Sequence, residues 1–157
     1  MITTQKIAKL FSNTLASLVC LMSTYVFALE LPYSARLVLS DKTDVKNISV
    51  EISAWDREKG ISRLDFRGRT TTQVFQIDGT SLTLDQMLQP IITHLNDKQF
   101  SIELYCNTKV CGGFNFRKKL TVSNPPFMIV NVANYSVITA VKNSSAISLV
   151  ASKLGNT

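Results

Sequence analysis

The first 28 residues constrain this chain more than any other feature, because they have the pattern of a cleavable export signal. Lys6 and Lys9 precede an uncharged and mostly apolar run over residues 11–29. The run ends in Val26-Phe27-Ala28, which places short or small residues at positions −3 and −1 of a cleavage site. The sequence therefore predicts a signal peptide at residues 1–28 and an exported chain that folds in an oxidising compartment.

Two other interpretations of this segment are an uncleaved membrane anchor and a lipoprotein. An anchor needs roughly 20 predominantly apolar residues, and polar residues interrupt this run. A lipoprotein would use Cys20, but Val19 before it is too bulky for the usual lipid-attachment motif. No later run is long enough to span a bilayer, so we expect no transmembrane span once the signal is cleaved. The interrupting residues are Ser12, Asn13, Thr14, Ser17, Ser23 and Thr24.

Cleavage near Leu29 leaves 129 residues, which suits one domain over residues 29–154 with a mobile tail at 155–157. Loss of Lys6 and Lys9 leaves 15 basic and 11 acidic side chains, a formal charge of +4. This excess favours anionic envelope polymers or lipid head groups, although it is also explained by solubility alone.

The mature chain keeps two cysteines, Cys106 and Cys111, with four residues between them. In an exported protein such a pair predicts a structural disulfide. The short loop predicts a stabilisation of about 2 kcal/mol. A redox pair of the thioredoxin type would have C-x-x-C at a helix start, and a metal site would need ligands besides His94. Gly112 and Gly113 follow the loop as turn glycines.

Extended segments are expected on both sides of one helix. The pattern predicts a polar turn at 41–44, a charged loop at 56–60, a break at Pro125-Pro126 and a hairpin turn at Ala133-Asn134. Residues 146–154 fit either a strand or a short helix. Alternating or β-branched residues predict strands at 36–40, within 45–55, and at 63–66, 70–77, 99–106, 114–117, 127–132 and 135–141.

The helix is expected over residues 82–95, where Leu84, Leu88 and Ile91 recur at helical spacing. Thr80, Ser81 or Thr83 can cap it, and Pro90 should kink or split it. The fold class is therefore α+β, with a mostly antiparallel sheet, one main helix in a β-α-β-β core and one short-loop disulfide.

No catalytic, cofactor or metal pattern is present in the sequence. His94 is the sole histidine and has no partner pattern, and no nucleophile elbow or phosphate-binding glycine loop occurs. The eleven carboxylates leave a cell-wall or glycan hydrolase open as an alternative, because an acid pair can come from distant positions. We therefore expect no enzyme and no cofactor.

Basic residues cluster at Arg117-Lys118-Lys119, and Arg63, Arg67 and Arg69 form a second group. Alternation predicts that Phe114 and Phe116 point inward and Arg117 outward. Phenylalanines near basic residues are typical of nucleic-acid contact, but export argues against a nucleic-acid partner. The cluster at 117–119 is a candidate interaction face for an envelope protein or an anionic envelope polymer; a plain solvated edge is the alternative.

The mature chain resembles the N-terminal domain that precedes the OmpA-like peptidoglycan-binding module in some bacterial outer-membrane-associated proteins. The segments that carry the resemblance are its start at 29–38, the helix at 82–95, the C-x4-C-G-G-F-x-F-R motif within 104–117, and residues 135–138 and 146–152. The resemblance implies a periplasmic or outer-membrane-associated accessory domain. The OmpA-like module itself is not in this sequence, so peptidoglycan binding is not implied.

The sequence thus favours a non-enzymatic, exported envelope protein that contacts an envelope component. The alternatives are a wall or glycan hydrolase that uses carboxylates and a periplasmic thiol-redox protein.

Overall fold

The computed structural model describes Leu31 and residues 34–155. The predicted signal peptide and the last two residues of the predicted tail lie outside the described residues. Five strands and three helices follow one another in the order β1 (Arg36–Glu51), β2 (Arg63–Gln76), α1 (Leu84–Asp97), β3 (Ser101–Asn107), α2 (Thr108–Cys111), α3 (Gly113–Arg117), β4 (Tyr135–Lys142) and β5 (Ser145–Ser152).

β1 and β2 pair antiparallel as a long two-stranded ribbon. The polar turn predicted at residues 41–44 is wrong, because these residues lie inside β1, where residues 41–43 pair with β2. The four expected strands of this region therefore merge into two. Cross-strand hydrogen bonds satisfy the backbone there, and a bulge between Thr43 and Lys46 accommodates the polar segment.

Residues 52–62 connect the two strands, and the predicted charged loop at 56–60 is its turn. Asp56 and Gly60 form an isolated bridge, and the Asp56 carboxylate accepts the backbone N–H groups of Glu58 and Lys59 at 2.8 Å. These bonds hold the pKa of Asp56 below its ordinary value. Trp55, the last residue of the segment 45–55 within which a strand was expected, lies in this connector.

α1 is an amphipathic helix whose buried stripe is Leu84, Leu88, Ile91 and Leu95. Thr83 is its N-cap: the Thr83 hydroxyl accepts the N–H of Gln86, and the Gln86 side chain accepts the N–H of Thr83. The helix is continuous through Pro90, so of the two outcomes expected there, a kink or a split, the split is wrong.

β3, β4 and β5 form an antiparallel sheet with β4 in the centre. Ile138 and Ala140 of β4 face α1, whereas Tyr135 and Val137 face a second cluster around Cys111 and Phe116. The central strand is thus buried on both faces, which explains its almost uninterrupted burial from residue 135 to residue 140.

β3 does not alternate regularly between its two faces as the sequence predicts, because its register shifts between Ile102 and Leu104. Ile102 packs against the α1 cluster, but Leu104 and Cys106 belong to the opposite cluster. The irregularity turns the second half of the strand over, so that the disulfide lies on the face away from α1.

The strand expected at 127–132 is absent: these residues form a turn and irregular backbone. The hairpin turn expected at Ala133-Asn134 is also wrong, because these residues precede β4, and the hairpin lies between Lys142 and Ser145 instead. Asn143 adopts φ 53° there, as a tight two-residue turn requires. Residues 146–152, ambiguous in the sequence, belong to β5.

The predicted α+β class with antiparallel sheets is confirmed, as is the short-loop disulfide. The β-α-β-β order corresponds to β2, α1, β3 and β4, but only if the short helices α2 and α3 between β3 and β4 are left aside.

Candidate functional site

The disulfide loop organises one end of the sheet. Cys106 and Cys111 are bonded, with Cα atoms 5.1 Å apart. Cys106 is the second-last residue of β3, and Cys111 is the last residue of α2. Both are buried in the cluster on the face of the sheet opposite α1. Six residues thus reverse the chain and deliver α3 to that face of the sheet.

Gly112 allows the connector to lie against this loop. Its φ of 112° belongs to a region that residues with a side chain rarely adopt. A Cβ at Gly112 would lie 2.7 Å from the Cβ of Trp55, whose backbone N–H donates to the Cys111 carbonyl at 2.8 Å. Gly113 also has a positive φ, 57°, but faces open space. The two predicted turn glycines therefore have different roles.

Residues 114–117 were expected to be a strand, and that expectation is wrong: they lie in α3. Two phenylalanines two residues apart have the period of a strand, whereas a helix places such positions about 200° apart around its axis. In the helix they separate, so that Phe116 is fully buried whereas Phe114 is 63% exposed. Because the expected strand is absent, the expectation that both rings point inward is also wrong.

The three basic residues of the predicted interaction face lie at the end of α3 and just after it, in different surroundings. Arg117 is partly buried, and its Nε has no hydrogen-bond partner in the described structure. Lys118 lies over the Phe114 ring, with its Nζ 5.9 Å from the ring centre. Lys119 lines a cleft beside Trp55. Only Lys118 and Lys119 are therefore exposed together.

The cleft beside Trp55, here the tryptophan cleft, has a volume of about 160 Å³ and is lined by Trp55, Gly60, Ile61, Arg63 and Lys119. The Arg63 guanidinium donates to the Lys119 carbonyl at 3.3 Å and to the Glu51 carboxylate at 3.3 Å. Because Glu51 is buried, this ion pair fixes the position of Arg63. Arg67 and Arg69, the other members of the second basic group, are exposed on β2 and do not line the cleft.

Tyr135 supports α2 and α3 from beneath. It is fully buried, and its hydroxyl donates to the Gly113 carbonyl at 2.8 Å. Burial raises the pKa of the Tyr135 phenol, and the nearby Arg117 partly offsets that rise.

A second cleft, here the helix cleft, opens at the start of α1 and has a volume of about 150 Å³. Beside it, the Tyr105 hydroxyl donates to the Asp85 carboxylate at 2.6 Å. Burial, together with the Asp85 hydrogen bond and charge, raises the pKa of Tyr105 to about 12. The lining residues are Thr83, Leu84, Asp85, Asn107, Thr108, Asn134, Tyr135 and Ser136.

Within residues 34–155, no cluster of three or more histidine, cysteine or acidic residues is arranged to hold a metal ion. The part of the chain that the structure describes contains no helix with the length and apolar character of a membrane span. His94 lies in the last turn of α1 and is partly buried.

The sequence did not point to Trp55 or Glu51 as parts of a site. A lone tryptophan beside a charged loop was a weak signal, and its place beside Lys119 in the lining of one cleft depends on how the connector folds back. Comparisons of the chain with protein-family models, with curated proteins and with solved structures found no match.

Proposed function

We propose that this chain is a non-enzymatic, exported envelope protein that binds an anionic envelope polymer at the tryptophan cleft and the neighbouring Lys118. The observation that carries the proposal is the convergence of Trp55 and Arg63 with Lys119, which follows Arg63 by 56 positions, on one surface cleft. The resemblance to the domain that precedes OmpA-like modules, and the export signal expected from the sequence, agree with an envelope location.

The charge of this surface favours an anion. Arg63, Lys118 and Lys119 supply three positive charges, and among the residues that the structure describes only the Glu51 carboxylate is paired against them. Since Glu51 is buried and the lysines are exposed, a ligand meets the lysines first. Exposed charges of one sign attract an oppositely charged polymer and raise its local concentration.

The apolar wall of the cleft adds a second kind of contact. Trp55 and Ile61 are partly buried against the disulfide cluster, so their positions are fixed before a ligand arrives. An indole offers a large and rigid contact area with a small loss of conformational entropy. A basic surface beside a rigid apolar wall suits a polymer that has both anionic groups and a carbon skeleton.

The test is cosedimentation of the purified protein with peptidoglycan sacculi and, separately, with lipopolysaccharide. We expect binding to at least one polymer, and we expect it to weaken as salt is raised, because salt screens exposed charges. Reversal of charge in the double variant Lys118→Glu, Lys119→Glu should abolish it. Arg63 is left intact, because its removal would leave Glu51 buried without a partner.

The matched control is Lys42→Glu with Lys46→Glu. Both lysines are exposed on β1, and the pair changes the net charge by the same amount. Binding that survives in the control but not in the Lys118, Lys119 variant supports the tryptophan cleft. Equal loss in both variants would mean that only net charge matters, and no sedimentation with either polymer would refute the proposed function.

A further inference from the structure

The helix cleft contains a buried hydroxyl that no group in the described part of the chain satisfies. Ser136 on β4 is 1% exposed, lines the cleft, and its Oγ has no hydrogen-bond partner within residues 34–155. A buried hydroxyl without a partner is costly, and most such groups in folded proteins are paired. Its location on the wall of a surface cleft gives a ligand a place to supply the missing hydrogen bond.

The position of Ser136 follows from the sheet. It pairs with Asn107 on β3 and Ala151 on β5, and Ala151 packs against the α1 cluster. The Ser136 side chain is therefore on the α1 side of the sheet, where the first residues of α1 close the cleft. No lining residue is shared with the tryptophan cleft.

The lining chemistry narrows the class of ligand. The side chains are mostly hydroxyls and carboxamides, with one carboxylate, Asp85, and no cationic side chain. Lys153 lies near, but its ammonium donates to the Leu82 carbonyl and does not line the cleft. The Asp85 carboxylate opposes the attraction of the helix N-terminus for an anion, and the polar lining disfavours an apolar ligand.

A neutral compound rich in hydroxyl groups matches this lining. Each ligand hydroxyl can donate to the Asp85 carboxylate or the carboxamide oxygens and can accept from the Asn107 or Asn134 amides. The Tyr105 hydroxyl already donates to Asp85 and fixes that carboxylate at the edge of the cleft. The Thr108 hydroxyl is likewise fixed by its bonds to the Tyr135 backbone.

We propose that the helix cleft binds a neutral sugar unit and that Ser136 is the residue at its floor that hydrogen-bonds a sugar hydroxyl. The site is independent of the tryptophan cleft, so a sugar and an anionic polymer can bind at the same time.

The experiment is an NMR titration of the ¹⁵N-labelled protein with N-acetylglucosamine, with glucose and with inorganic phosphate as separate probes. We expect one of the sugars to shift the backbone amide signals of Asp85, Thr108 and Ser136. Ser136→Ala should weaken that sugar about tenfold, the effect of one lost hydrogen bond.

Thr139→Val is the matched control. Thr139 is on the same strand, fully buried, and its hydroxyl also has no partner in the described part of the chain, but it does not line the helix cleft. This variant should bind the sugar as the wild type does. Both variants should melt no lower than the wild type, because neither loses a hydrogen bond within the protein.

Absence of shifts with both sugars would overturn the proposal, as would shifts from phosphate alone or sugar binding that Ser136→Ala leaves unchanged. The double variant Lys118→Glu, Lys119→Glu should retain the sugar, so the failure of one proposal is separable from the failure of the other.

Discussion

Replacement of Gly112 by alanine should destabilise the protein far more than the same change at Gly113. At Gly112 the added Cβ would lie 2.7 Å from the Trp55 Cβ and 3.4 Å from the Trp55 Cα and carbonyl oxygen. Carbon atoms in contact prefer about 3.5–4.0 Å. The Trp55 backbone cannot retreat without loss of its bond to the Cys111 carbonyl.

The magnitude has two parts. Forcing a side chain into a packed position costs about 1–3 kcal/mol, and a residue with a Cβ at φ 112° costs a further 1–3 kcal/mol. We therefore expect Gly112→Ala to lower the free energy of unfolding by roughly 2–6 kcal/mol. At Gly113 the space is open, so only the left-handed backbone penalty of about 1–2 kcal/mol applies.

The assay is equilibrium unfolding in urea of the disulfide-bonded protein, with the wild type and both variants measured under the same conditions. The expected order of stability is wild type, then Gly113→Ala, then Gly112→Ala. If the two variants differ by less than about 1 kcal/mol, the contact between Gly112 and Trp55 does not restrict this position, and the reasoning about overlap is refuted.

Three further predictions follow from local contacts. Thr83→Ala should lower the free energy of unfolding by about 1 kcal/mol through loss of the α1 cap, whereas Ser81→Ala, at an exposed position before the helix, should change it little in the same urea assay. The double variant Cys106→Ala, Cys111→Ala should unfold at lower urea, by about 2 kcal/mol, and alkylation of the denatured, unreduced wild type should label neither cysteine; labelling would contradict the disulfide. The Tyr105 pKa of about 12 exceeds the ordinary value of 10.0, so the neutral phenol stabilises the fold fully below pH 10, and this contribution is lost as pH rises through about 12. A tyrosinate absorbance titration should show Tyr105 ionising at lower pH in Asp85→Asn, and an unchanged titration would contradict the role of Asp85.

The helix and the disulfide were predictable because both depend on local sequence. Leu84, Leu88 and Ile91 repeat with the helical period, and Thr83 is followed three residues later by Gln86, the usual pattern of a helix start. Cys106 and Cys111 are only five positions apart, so their pairing can be predicted without the tertiary fold. The sequence left three candidate caps open, and only the structure distinguished Thr83 from Thr80 and Ser81.

The errors arose where tertiary contacts overrule local preference. Residues 41–44 have turn chemistry, but pairing along the whole of β2 keeps them extended. The irregularity near Glu103 that turns β3 over leaves no clear mark in the sequence, since Ile102, Leu104 and Cys106 fit a simple alternation. Phe114 and Phe116 likewise have the spacing of a strand, although both lie in α3.

The tryptophan cleft could not have been predicted in full. Arg117, Lys118 and Lys119 are adjacent in sequence, but Arg117 ends α3 and the two lysines follow it in a turn, so only part of the cluster shares a surface. The contact of Lys119 with Arg63 joins residues on separate elements 56 positions apart. Only the returning connector brings Trp55 and Arg63 to that side.

The long ribbon has a consequence for motion. Its buried residues lie near the two ends, with Val50 and Glu51 at one and Val74 at the other, and no residue of the ribbon from 42 to 47 or from 66 to 71 is buried. The centre is therefore held mainly by backbone hydrogen bonds that water can replace. Its amide protons should exchange with solvent through local opening, well before those of β4, which is covered on both faces.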